Sequence, residues 1–207
     1  MDIIIADISH IIYAEEICNT IENAAKVRGT GIAKRQPEYI IKKMEQGNAV
    51  IALNKQKFAG FCYIESWSHG KFVANSGLIV HPDFRGLGLS KKIKQKIFEH
   101  SRTKFPEAKI FSITTGLAVM KLNSNLGYKP VTFSELTTDQ TFWNGCKTCV
   151  NYDVLQRTNQ KMCLCTGMLY DPVTEDKKQP KRRIIKEKTF TRLKSIKQHL
   201  FLKKEKK

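Results

Sequence analysis

No span of the chain approaches the ~20 consecutive apolar residues that a membrane-crossing helix needs. The opening Met1-Asp2-Ile3-Ile4-Ile5 has no basic n-region, and its apolar run stops at Asp7, so it does not read as a signal peptide. A cytoplasmic protein without membrane contact is the expectation. In a reducing compartment, six cysteines read as thiols or metal ligands rather than disulfides. The common nucleotide fingerprints are missing too. Glycines stand at 86 and 88, but Lys91 occupies the third glycine position of G-x-G-x-x-G, and no G-K-S/T follows to make a Walker loop. Acidic residues are scarce, 19 against 36 Lys and Arg, for a net charge of +17. Over half of that excess lies in the last stretch, where 14 Lys/Arg face 5 Asp/Glu from Asp171 onward. The body is only mildly basic, as suits anionic substrates.

What is present centres on Gly77–Lys92, GLIVHPDFRGLGLSKK. Leu78-Ile79-Val80 has strand character, and His81-Pro82-Asp83 breaks it, because proline cannot continue an inner ladder. Arg85-Gly86-Leu87-Gly88-Leu89-Ser90 then opens a helix whose apolar face is Leu89, Ile93 and Ile97. Strand, glycine-rich turn and helix start make an anion cradle: first-turn N–H groups point at the ligand, and the glycines let the backbone approach. Plain turn chemistry is the alternative.

Along the chain, Asp2–Ala6 reads as a strand. Ser9 caps a helix with Ile12, Ile17, Ile21 and Ala24 inward, and Cys18, like Cys62, reads as a small packed hydrophobe. Lys26–Arg35 is a basic, glycine-containing loop, either a surface turn or a substrate loop in which Arg28, Lys34 and Arg35 receive carboxylates. Pro37 starts the next helix. Ala49–Leu53, Phe58–Ser66 and Lys71–Val80 form a three-stranded meander. The helix from Leu87 to about Ser101 crosses over to the strand Lys109–Thr114, which therefore runs parallel to Lys71–Val80. Gly116–Leu126 is a helix with Leu117, Val119 and Met120 inward, and Tyr128–Phe133 starts a last hairpin.

Ile79-Val80-His81-Pro82-Asp83-Phe84-Arg85-Gly86-Leu87-Gly88-Leu89-Ser90 resembles the acetyl-coenzyme A signature of the GNAT superfamily of N-acetyltransferases, R/Q-x-x-G-x-G/A after a strand ending in V-x-P. Ser90 departs from the family's Gly or Ala. Leu122–Tyr128 resembles a second marker, L-Y-x-K-x-G-F, with Asn123 where many members carry a tyrosine acid. The resemblance implies an α/β (α+β) GNAT fold: a mixed, mostly antiparallel sheet, splayed at its central parallel pair and flanked by helices. It implies acetyl-CoA or another acyl-CoA as co-substrate, held by Leu78, Ile79, Val80, Arg85, Gly86, Leu87, Gly88, Leu89, Ser90 and Ser124. Asn75 and Ser76 orient the acceptor. Glu65, then His69, are the candidate bases, each with a structural alternative, and Asn123 leaves the acid unnamed. Among relatives the look is closest to bacterial N-acylglutamate synthases, the entry step of arginine biosynthesis. The expected reaction is thus transfer of an acetyl, or a succinyl, group to a small acidic amino acid, glutamate first. Acylation of a protein or ribosomal N-terminus is the alternative.

Residues 1–140 form the transferase domain in this reading, 141–172 a cysteine-rich hairpin module packed on it, and 173–207 a basic tail. Cys146-x2-Cys149 and Cys163-x-Cys165 have the look of two knuckles of a structural zinc site, with loosely clustered thiols or an iron–sulfur cluster as alternatives. A non-catalytic zinc and nucleic-acid module is the remaining function. A homodimer, and nucleic acid as a partner of the tail, are left open.

Overall fold

The computed structural model describes residues 1–29 and 35–175. Lys34 and the tail beyond residue 175 therefore lie outside the described residues. One unit spans Met1–Asp171; a second begins at Pro172, where a single helical turn, Pro172–Glu175, is described.

The first unit runs β1 (Asp2–Ala6), α1 (Ala14–Arg28), α2 (Pro37–Glu45), β2 (Ala49–Asn54), β3 (Lys57–Trp67), β4 (Phe72–Val80), α3 (Leu89–Lys104), β5 (Lys109–Thr114), α4 (Leu117–Asn125), β6 (Lys129–Val131), α5 (Gln140–Asn144), α6 (Tyr152–Arg157) and β7 (Thr166–Tyr170). The strands form one sheet in the order β1-β2-β3-β4-β5-β7-β6. Among the described strands only β4 and β5 are parallel, as the helical crossover between them requires. The mixed, mostly antiparallel sheet is thus as expected.

Alternation along β3 sorts the two faces. Phe61 and Tyr63 join the cluster under α1 and α2, whereas Cys62 and Ile64 join the cluster under α3, with Leu89, Ile93 and Ile97. Cys18 and Cys62 are both buried among apolar residues, as read. A third cluster gathers Phe111, Phe133, Trp143, Leu155 and Leu169, with Trp67 and Phe142 against it. The Trp143 indole is buried with its N–H donating to the Thr137 carbonyl at 2.9 Å. Truncating such a ring to alanine typically costs about 3–5 kcal/mol.

The parallel pair is short. Pairing between β4 and β5 covers Phe72–Ala74 against Lys109–Phe111, and the strands part from Asn75 onward. A bulge in β4 helps to explain the parting: Phe61 pairs Ile79 but Tyr63 pairs Ser76, which leaves an extra residue at Gly77–Leu78. Gly77 has φ +65°, and a Cβ there would run into the Tyr63 ring. A bulge bends its strand, and here the bend lies a few residues beyond the last β4–β5 pair, within the stretch that has left β5.

Several local expectations are corrected. Asp7, not Ser9, is the cap, accepting from the Ser9 N–H at 2.9 Å, and it starts a 3-10 helix, Ile8–Tyr13, ahead of α1. Ile12 is therefore 76 % exposed instead of inward. Leu117 is also exposed, while Val119 and Met120 are half-buried. The helix after the glycines begins at Leu89, leaving Leu87 in the turn. Residues 129–131 pair with β7, which the cysteine-bearing stretch delivers as an inner strand between β5 and β6; it does not close a hairpin of its own.

Candidate active site

Two clefts meet where β4 parts from β5. The first, about 960 Å³, runs along Leu78–Val80 and the glycine turn, with α1 and α4 as its other walls. Proline at 82 ends the strand in one 3-10 turn, Pro82–Phe84, and the Arg85 Nε donates back to the Val80 carbonyl at 3.2 Å. Gly86 and Gly88 follow with φ +80° and +70°, a left-handed backbone that side chains rarely adopt. Nothing lies within 4 Å of the Cβ either would carry, so the turn is open on that side. Gly88 caps α3 through its backbone alone, which leaves first-turn amides to a ligand. Leu78, Ile79, Val80, Arg85, Gly86, Gly88, Leu89 and Ser90 line this cleft. Leu87 is exposed beside it, and Ser124 is exposed on α4.

The second cleft, about 990 Å³, lies on the α2 side, and the two share Leu78 and Val119. Glu65 faces it from β3, its carboxylate oxygen 3.6 Å from the Lys43 Nζ. Burial pushes the Glu65 carboxyl up to about 7, outweighing the opposing pull of Arg35. Arg35 donates from Nε to the Tyr63 hydroxyl at 3.0 Å and sits over the Tyr39 ring, 5.6 Å from its centre. Lys43 covers the same ring at 5.0 Å, and burial lowers its pKa. Of this cation–aromatic group, Arg35 was named from the sequence but Tyr39, Lys43 and Tyr63 were missed. The signals were the period-two placement of Tyr63 and Glu65 on β3 and the i, i+4 pair Tyr39 and Lys43 on α2.

The structure brings Glu65, His69, Arg35, Asn75 and Ser76 to this cleft. His69 is exposed in the β3–β4 turn at φ +55°, a turn tied down by the Ser68 N–H donating to Asp139 at 3.3 Å. Asn75 is buried, its amide engaged from behind by Lys94, Ser101 and Tyr128. His81 lies in the other cleft. Arg28 ends α1. Asn123 is fully buried, lines neither cleft, and donates its amide weakly to the Met168 sulfur at 3.7 Å, while its Oδ1 has no partner. Nothing about that position serves an acid.

All four paired cysteines are free, half-buried and part of the second cleft's wall. Burial, reinforced by the neighbouring thiols, pushes Cys146 up to about 11 and Cys165 to about 12. Among the described residues, no group of three or more His, Cys, Asp or Glu is placed to hold a metal ion. The zinc site expected from the spacing thus gains no support from the described residues, where the Cys163 thiol donates weakly to the Asn151 carbonyl at 3.8 Å. No helix among the described residues is long and apolar enough to cross a membrane.

No curated protein matches the sequence. Solved structures match the fold. N-acetylglutamate synthase from Neisseria gonorrhoeae, complexed with coenzyme A and N-acetyl-glutamate, superposes with a TM-score of 0.59 at 14% identity over 82% of this chain. The chain spans only 34% of that protein. A Mycobacterium tuberculosis protein in complex with CoA gives 0.57 at 13% identity, covering 83% of this chain and 99% of that one. The ribosomal-protein-S18-alanine N-acetyltransferase from Escherichia coli gives 0.51 at 11%, covering 82% and 92%. At such identities the likeness is one of fold. The sequence itself matches the model of the acetyltransferase (GNAT) family over residues 19–121, a span that holds α2, the meander, the glycine turn, α3 and β5. With the parted parallel strands and the glycine turn both inside that match, the chain belongs to the acetyltransferase (GNAT) family of enzymes.

Proposed function

We propose that this acyl-CoA-dependent acyltransferase acylates the amino group of a small molecule carrying a carboxylate, with Glu65 as the base. One observation carries the proposal: the cleft along the glycine turn and the cleft holding Glu65 meet at Leu78 and Val119, beside the stretch of β4 that no longer pairs with β5. The first cleft suits the acyl-CoA. Its diphosphate suits the Gly86–Ser90 amides, and its pantetheine arm and acyl carbonyl suit the polar backbone edge left where β4 parts from β5.

The acceptor amine enters as an ammonium and must lose a proton to attack. A carboxyl near 7 is poised for that transfer at neutral pH. The nitrogen then forms a bond to the thioester carbonyl, the C–S bond breaks, and the products are an amide and free thiol. With Asn123 buried, the leaving thiolate takes its proton from water or from the attacking amine. Arg35, held by Tyr63 and Tyr39, offers its planar fork to the acceptor's carboxylate. Glutamate is the first acceptor to test, with acetyl as the first donor and succinyl as the second.

A second reading draws on size. At about 990 Å³ the acceptor cleft exceeds what a single small amino acid fills, which favours a longer acceptor such as a protein or ribosomal N-terminus. Thiol release from acetyl-CoA and succinyl-CoA across free amino acids and short peptides separates the two. Release with glutamate supports the first; release only with peptides supports the second. Acyl-CoA binding with no release to any acceptor would sink both.

A further inference from the structure

Lys94 sits on α3 and is 1 % exposed. Its Nζ donates to the Asn75 Oδ1 at 3.3 Å and lies 5.0 Å from the centre of the Tyr128 ring. The same Asn75 oxygen accepts from the Tyr128 hydroxyl at 3.2 Å, and the Asn75 Nδ2 donates to Ser101 at 2.8 Å. Among the described residues no carboxylate pairs with it, and a wholly buried ammonium without one is expensive to keep in a core. The place where it is kept is informative. Asn75 is the first residue of β4 past the last pair with β5, and it borders the acceptor cleft.

We propose that Lys94 is a positioning residue for acyl transfer: through Asn75 it braces the stretch of β4 that parts from β5, and it supplies fixed positive charge behind the place where negative charge develops. The inference rests on the acyltransferase reading above. In a water-poor site such a charge acts over several ångströms. The other groups facing Lys94 do not neutralise it. They are the Cys62 thiol from β3, pushed up to about 12, the Tyr128 hydroxyl, raised by burial, and the neutral Asn75 and Ser101. From β1 and β2 the same core receives Ile3, Ile5, Val50 and Ala52. Burial lowers Lys94 to about 8, so its charge is present at neutral pH and fades above that value.

Lys94→Met keeps the volume and removes the charge, while Tyr128 still satisfies the Asn75 oxygen. Stability and activity should move in opposite directions. The variant should melt at or above the wild-type temperature. Its kcat at pH 7 should fall by about tenfold, with KM for acetyl-CoA within about twofold. The wild-type decline of kcat above pH 8 should vanish. A melting temperature lowered by about ten degrees would make Lys94 a structural residue and overturn the proposal. So would an unchanged kcat, or an alkaline limb that survives. Thiol release by the wild type is measured first: its absence overturns the acyltransferase reading and this inference with it, whereas release by the wild type together with an unchanged kcat in the variant overturns this inference alone.

Discussion

Glu65→Gln tests the base and makes two independent readings. The native carboxyl is raised from the ordinary 4.5 to about 7, chiefly by burial. A carboxyl raised on folding binds its proton more tightly in the native state. Its contribution to stability is therefore fully present below pH 4.5 and is lost as pH rises to 7. The gap corresponds to about 3 kcal/mol. Glutamine carries no such penalty, so denaturant unfolding should show the variant more stable than wild type by up to about 3 kcal/mol at pH 8, with a smaller difference at pH 5. Activity should go the other way. Wild-type kcat/KM should rise with pH through about 7 as Glu65 ionises, and the variant should lose both that limb and about 10²–10³ in kcat. Thiol release over pH 5.5–9 measures this. A variant that keeps the acid limb would remove Glu65 from catalysis, and a stability difference flat across pH would refute its burial.

Gly88→Val forces a β-branched residue to φ +70°, which should cost about 1–2 kcal/mol in denaturant unfolding and weaken acetyl-CoA binding by more than tenfold in calorimetry; unchanged affinity would remove the turn from the donor site. Arg35→Ala should raise KM for carboxylate-bearing acceptors about tenfold and leave KM for the acyl-CoA unmoved, in steady-state kinetics with each substrate varied. Asn123→Leu replaces a buried amide whose oxygen is unpartnered, so it should raise stability by about 1 kcal/mol with kcat within twofold. A tenfold loss of kcat in that variant would restore a catalytic role to the position.

The meander, the crossover helix and the parallel pair were legible because each follows from local signals: alternation, a proline stop and apolar residues at helical spacing. The donor turn was legible for the same reason, since Pro82, Gly86 and Gly88 act on the backbone where they stand. The acceptor side was less so. Tyr39, Lys43, Tyr63 and Glu65 come from two elements whose packing no local pattern announces, and the raised Glu65 carboxyl is a product of that packing. Ile12 read as inward because its spacing fits the α1 stripe, yet the Asp7 cap begins a tighter 3-10 turn there and rotates it out. Thr166–Tyr170 was hidden by its neighbours: the cysteine spacing suggested a metal-bound hairpin, whereas the strand finds its partners in β5 and β6.

The placement of β7 has a consequence for how the chain acquires its shape. β5 ends at Thr114, but the strand that covers its free edge starts at Thr166, with α4, β6, α5 and α6 in between. During synthesis the apolar Ile110 and Phe111 therefore wait beside an uncovered edge until Tyr170 has left the ribosome. Closing so long a loop is slow, and an uncovered edge invites pairing with other chains. A chain interrupted before Thr166 should accumulate as aggregate, even though most of the donor cleft has by then been made.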